Sequence, residues 1–323
     1  MPDPVREPKC PPYPPPHALH RRQPLPEHHP KSPQDDAAAP EAVRKILACW
    51  SYREADKDLD FLKEPQTRGV RLQLDYSKAE GLLAKHRVAH TIVVFGGTRI
   101  VESNAAIRTL KEIDQAIARD PENEELRRKR SIADRVLQKS KYYDMAREFG
   151  RIVGRAEHLG RGDRIVVMTG GGPGIMEAAN RGASDVGARS VGLNITLPHE
   201  QFPNPYVTPE LCLRFHYFAI RKLHFLLRAR ALVAFPGGYG TLDELFEILA
   251  LSQTRKAEPV PIVLVGEDYW RKVFDVDFLV DEGVIDAEDK ELLWYTNSAE
   301  ETWESILRWY DMKGEPLLKR ETT

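Results

Sequence analysis

The stretch "ALVAFPGGYGTLDELFE", Ala231 to Glu247, combines the residue types needed to hold an anion and act on it. An apolar run stops at Pro236. Gly237, Gly238 and Gly240 follow, and Thr241 leads into an acidic amphipathic helix that carries Asp243 and Glu244 in its first turn. Glycines let backbone amides approach an anion closely, and a helix N-terminus adds partial positive charge. A phosphate is the natural occupant, with the Thr241 hydroxyl as a further donor. A carboxylate beside that site repels the ligand, and Asp243 already serves the helix dipole. Glu244 makes sense if positive charge develops nearby, as it does when an N-glycosidic bond breaks through an oxocarbenium-like transition state. Arg221 and Lys222, just upstream, could offset the ligand's negative charge, and an arginine fork can hold phosphate or ribose oxygens.

A second glycine turn, "VVMTGGGPGIMEAA", contains Gly171, Gly172 and Gly174. Neither turn is a P-loop, because no Gly-Lys-Ser/Thr follows, and neither fits the dinucleotide fingerprint, which would place Glu177 or Ile175 where a small residue must pack. Two phosphate-type turns without a dinucleotide signature suit a nucleoside monophosphate.

The elements around these turns alternate. "TIVVFGG", "DRIVVMTGGG", "RSVGLNITLP", "LCLRFHYF", "ALVAFPGG" and "VPIVLVG" read as buried strands, separated by helical segments. Continuous β-branched runs alternating with helices indicate a parallel sheet covered on both faces. Right-handed crossovers then give an α/β, Rossmann-like doubly wound fold, with extra N-terminal helices. Ligands of such sheets bind at the carboxyl ends of the strands, at a switch point, where both glycine turns emerge. "GVRLQLDYSKAEGLLAKHRV" reads as a short strand and a helix, Asn104 to about Leu159 as a long helical region broken near "RDPENE", and "AEDKELLWY" as a helix.

Residues 1–40 hold more than half of the prolines and few aliphatic side chains, so they read as a disordered leader, and "PPYPPP" could dock in an aromatic groove. Residues 41–323 read as one Rossmann-like nucleotide-binding domain. A formal net charge of -2 gives no basic balance for nucleic acid. No apolar run is long enough to span a membrane. Cys10, Cys49 and Cys212 lie far apart, which suits a reducing cytoplasm. His86 and His90 have no third ligand candidate nearby, so no metal site is expected.

"PGGYGTLDE" (Pro236 to Glu244), "GGGPGIMEAANRGA" (Gly170 to Ala183) and "IRKL" (Ile220 to Leu223) together closely resemble the Lonely Guy family, the cytokinin riboside 5'-monophosphate phosphoribohydrolases. The resemblance covers about residues 91–265. It implies hydrolysis of adenosine-type nucleoside 5'-monophosphates, including N6-modified cytokinin forms, to free base and ribose 5-phosphate, without metal or organic cofactor. By matching position it implies Arg221 and Glu244 as the catalytic pair. Gly171, Gly172, Gly174, Lys222, Gly237, Gly238, Gly240 and Thr241 would hold the phosphate and ribose. A homo-oligomer, at least a dimer, is also implied. The leader, the helices before Thr91 and the Asn104 to Leu159 insertion resemble the larger bacterial-type subgroup, and "LPHEQFPNPYV" (Leu197 to Val207) would form a base pocket or lid.

Three other readings compete. An older family name, lysine decarboxylase, would require a pyridoxal phosphate lysine, and Lys222 is the only lysine near the motifs. A molybdenum-cofactor carrier has a similar fold and grips a phosphorylated ligand, but would not need the Arg221–Glu244 pair. A broad-specificity nucleoside 5'-monophosphate nucleosidase would use the same residues on several bases.

Overall fold

The computed structural model describes residues 30–157, 164–197 and 202–318. "PPYPPP" and residues 198–201 of the expected lid lie outside them. The chain divides into two compact units, Met1–Thr67 and Arg68–Thr323. The first unit carries helix α1 (Ala39–Ala48) and helix α2 (Leu59–Lys63), the latter started by the Asp58 carboxylate accepting from the amides of Asp60 and Phe61.

The second unit opens with helix α3 (Arg68–Lys85). The strand expected at "GVRLQL" is its first part: two-residue alternation there is local, whereas the stripe continuing through buried Ala79 and Leu83 has helical spacing. Strand β1 (Val88–Phe95), helices α4 (Ser103–Arg119) and α5 (Glu124–Glu157), β2 (Arg164–Thr169), α6 (Ile175–Asp185), β3 (Ser190–Ile195), β4 (Cys212–Phe215), α7 (Phe218–Leu226), β5 (Ala229–Ala234), α8 (Tyr239–Gln253) and β6 (Ile262–Val265) follow. Helices α9 (Glu267–Val273) and α10 (Val276–Asp281), β7 (Leu293–Thr296) and α11 (Ala299–Lys313) complete the unit. The helix expected at "AEDKELLWY" is instead a 3-10 turn, Ala287–Leu292, followed by β7. Four residues with apolar and aromatic side chains suffice for an edge strand, and Leu293 and Trp294 pair with Ile262 and Val263.

All neighbouring strands are parallel, in the order β4-β3-β2-β1-β5-β6-β7. The chain winds outward from β1 to β4, then returns to lay β5 beside β1, and this reversal is the switch point. Alternating strand residues feed two cores. Ile92, Val94, Ile165, Val167 and Val233 face α5, α6 and α11. Val93, Phe95, Val166, Met168 and Leu232 face α3, α7, α8 and α9. The doubly wound sheet expected from the sequence is the one observed.

Helices α5 and α6 meet through glycines. A Cβ at Gly182 would overlap the Arg147 carbonyl oxygen, and one at Gly150 the Ala179 carbonyl oxygen. Gly182→Ala is therefore expected to destabilise the protein by about 3 kcal/mol through overpacking. The urea midpoint measures this loss, and an unchanged midpoint would mean the helix contact is looser than the structure shows.

Candidate active site

The carboxyl ends of β1 and β5 are joined beyond the last sheet residues. Phe235 donates its amide to the Phe95 carbonyl at 2.9 Å, and Gly97 donates to the Pro236 carbonyl at 2.8 Å. This fixes where the Pro236–Gly238 turn emerges and where α8 starts. Gly237 has no room for a side chain because Thr241 folds back against it. The opening amides of α8 have no partner earlier in the helix, as at any helix N-terminus, so they form an anion-binding end beside a backbone free of side chains at Gly238 and Gly240. Tyr239, between them, is 92% exposed.

Glu244 lies one turn further along α8 and is buried. Its carboxylate is 4.0 Å from the Arg221 guanidinium of α7. Burial pushes the Glu244 carboxyl up to about 7, a rise that Arg221 and Lys222 partly oppose. Arg221 is itself largely buried, which lowers its pKa. An arginine nevertheless remains charged. Its Nε donates to the Leu193 carbonyl at 2.8 Å, and the guanidinium carbon lies 5.3 and 5.1 Å from the ring centres of Phe218 and Phe225. These contacts leave the fork little freedom to swing. A Cβ at Gly170 would come within 2.7 Å of Arg221 Nη2, so this glycine makes room for the guanidinium.

Lys222 points elsewhere. Its ammonium pairs with Asp243 at 3.0 Å and Glu247 at 3.1 Å, tying α7 to α8. The cation expected on the phosphate thus compensates the two carboxylates flanking Glu244, leaving Glu244 and Arg221 as each other's nearest opposite charge among the described residues.

The second turn is built differently. Gly171 and Gly174 adopt positive φ, 68° and 74°, where L side chains are strained. A Cβ at Gly171 would overlap the Asn194 amide, and one at Gly174 the Gly97 carbonyl. The first amide of α6, on Ile175, donates to that same Gly97 carbonyl at 3.2 Å, so the β1 loop covers this helix end and α8 offers the more open anion site. The loop is held from below. Gly171 donates to the Thr169 hydroxyl, which donates to the Asn180 side-chain oxygen at 2.7 Å. The Asn204 side-chain amide donates to the same Asn180 oxygen and to the Gly172 carbonyl.

Arg221, Glu244 and both glycine turns therefore lie at the carboxyl ends of the central strands. Gly171, Gly172 and Gly174, expected on the ligand, pack against Asn194, Asn204 and the β1 loop respectively. Gly170 and Asn204 fell inside stretches quoted from the sequence but without the roles seen here, room for Arg221 and support of the glycine loop. Gly97 was not singled out, although paired glycines end "TIVVFGG".

A buried Arg–Glu pair thus lies behind a glycine turn, at the switch point of a Rossmann-type sheet. The family model described as "Possible lysine decarboxylase" matches residues 176–306. The chain is 32% identical over 154 residues to the cytokinin riboside 5'-monophosphate phosphoribohydrolase LOG of Oryza sativa subsp. japonica, covering 47% of this chain and 60% of that protein. It is 28% identical over 167 residues to an Arabidopsis thaliana protein of the same enzyme name, covering 50% of this chain and 73% of that one. These matches make the chain a homologue of LOG-type proteins, at modest identity. It spans about three fifths of the rice protein's length. Among solved structures, a Moco carrier protein from Chlamydomonas reinhardtii is similar at 18% identity and a TM-score of 0.37, over 69% of this chain and 98% of that one. That likeness is too distant to bear on the ligand.

Proposed function

We propose that the chain hydrolyses the N-glycosidic bond of an adenosine-type nucleoside 5'-monophosphate, plain or N6-modified, giving free base and ribose 5-phosphate. The observation that carries this reading is the buried Glu244 carboxylate, 4.0 Å from Arg221 and one helical turn behind the glycine-flanked N-terminus of α8. The 5'-phosphate sits on the Gly238 to Thr241 end of α8, with Thr241 adding its hydroxyl. Arg221 holds ribose or phosphate oxygens in its fork. As the bond to the base lengthens, positive charge grows on the ribose ring, and ionised Glu244 stabilises it. The carboxylate then takes a proton from the attacking water as its oxygen bonds to the anomeric carbon, and the base departs with the bonding electron pair and takes up a proton from solvent. A carrier for a phosphorylated cofactor would use the glycine turn but gain nothing from a desolvated carboxylate beside it. The names of the relatives support the substrate class. The same reading makes the protein a cytoplasmic homo-oligomer.

Free base is expected from adenosine monophosphate and its N6-isopentenyl form, and none from adenosine, which lacks the phosphate. The ratio of the two rates decides between a cytokinin-selective and a broad nucleosidase. Release from adenosine alone, or from none of the three, would sink the proposal. Because Glu244 must be ionised and its carboxyl is pushed up to about 7, kcat/KM should rise as pH climbs through about 7 and level off above it. A profile that is flat across that range in the wild type would remove Glu244 from the reaction.

A further inference from the structure

The phosphate turn has a support outside every motif noted in the sequence. Tyr269, on α9, donates its hydroxyl to the Gly237 carbonyl at 2.5 Å. The next residue, Trp270, is fully buried and directs its indole N–H at the carbonyls of Ala234 and Val265, 3.1 Å from each. Adjacent side chains of one short helix therefore grip both ends of the Ala234–Gly237 segment. The start of α9 is fixed in turn, because Gly266 adopts a φ of 91° and a Cβ there would come within 2.7 Å of the Tyr142 ring. On its other side, Gly237 is pressed by Thr241.

We infer that Tyr269 is a positioning residue for the phosphate subsite, aiming the Gly238 amide at the 5'-phosphate. The inference rests on the proposed placement of that phosphate at the N-terminus of α8. A trans peptide is planar, and the N–H of one residue points opposite to the carbonyl of the residue before it. Fixing the Gly237 carbonyl on Tyr269 therefore turns the Gly238 N–H away from α9. Without the hydroxyl the peptide between Gly237 and Gly238 loses the contact that fixes its carbonyl, and neither glycine has a Cβ to limit its rotation. Burial raises the Tyr269 pKa, which keeps the hydroxyl protonated and donating. The phenol touches no substrate atom in this account, so it governs phosphate affinity and not bond cleavage.

Tyr269→Phe removes only the hydroxyl and leaves the ring packing. Calorimetric Kd values for ribose 5-phosphate and for adenosine, with kcat and KM for adenosine monophosphate, separate the possibilities. The expected result is a rise of about five- to tenfold in the ribose 5-phosphate Kd and the nucleotide KM, with adenosine affinity unchanged and kcat within about twofold. Unchanged ribose 5-phosphate affinity, or equal weakening for adenosine, would overturn the assignment. If the wild type binds ribose 5-phosphate but cleaves no nucleotide, selective weakening in the variant upholds Tyr269 while the hydrolase reading fails. A wild type that binds no phosphorylated ligand overturns both.

Discussion

Glu244→Gln is expected to lower kcat for adenosine monophosphate by about three orders of magnitude, which is about 4 kcal/mol of lost transition-state stabilisation. Glutamine keeps the size and hydrogen-bonding reach of the side chain but carries no charge to set against the oxocarbenium ion and cannot take the water's proton. Nucleotide affinity should hold or improve, because removing a carboxylate relieves repulsion of the phosphate. Stability gives an independent readout. The folded-state pKa of Glu244 is raised to about 7, above the ordinary glutamate value, by burial. The stability difference is therefore absent below about 4.5, grows as pH rises from there to about 7, where only the unfolded chain has ionised, and levels off above about 7. Glu244→Gln should match the wild type in thermal stability near pH 4 and exceed it above pH 8, by up to about 3 kcal/mol. A variant that is inactive but less stable at high pH would point to a structural role.

Arg221→Lys is expected to lower kcat/KM by at least about a hundredfold, despite conserving charge. Arg221 donates through Nε to the Leu193 carbonyl, while its outer nitrogens reach Glu244 and the space over Gly170. An ammonium is a point charge without a fork and cannot serve both ends at once. It also lies less well between the Phe218 and Phe225 rings, which favour a flat guanidinium. Steady-state kinetics at pH 8 give the comparison. Near wild-type activity would show that charge alone is needed at this position.

The inner strands β1, β2, β3, β5 and β6 were legible because each carries a largely continuous apolar run, buried on both faces, and each ends at a glycine, polar or proline break. The two errors of secondary structure share a cause. "GVRLQL" and "ELLWY" are short, and a few residues fit helical and extended periods equally well, so their state is decided by neighbours elsewhere in the chain: the long stripe of α3 in one case and β6 in the other. Arg221 and Glu244 could be read because their motifs are local. The ion pairs that turn Lys222 toward Asp243 and Glu247, the fit of Gly170 around Arg221 and the reach of Asn204 to Gly172 depend on contacts between distant segments, which no spacing in the sequence encodes. The equal reading of the two glycine turns fails for the same reason, since the Gly97 carbonyl that covers α6 belongs to a third loop.

Chromatographic analysis of the products from adenosine monophosphate, for the wild type and Glu244→Gln side by side, tests the hydrolase most directly. The account predicts equimolar adenine and ribose 5-phosphate from the wild type, and almost none from a variant that still binds the nucleotide. Adenosine with inorganic phosphate, or adenosine monophosphate and its N6-isopentenyl form both bound tightly and never cleaved by the wild type, would contradict it.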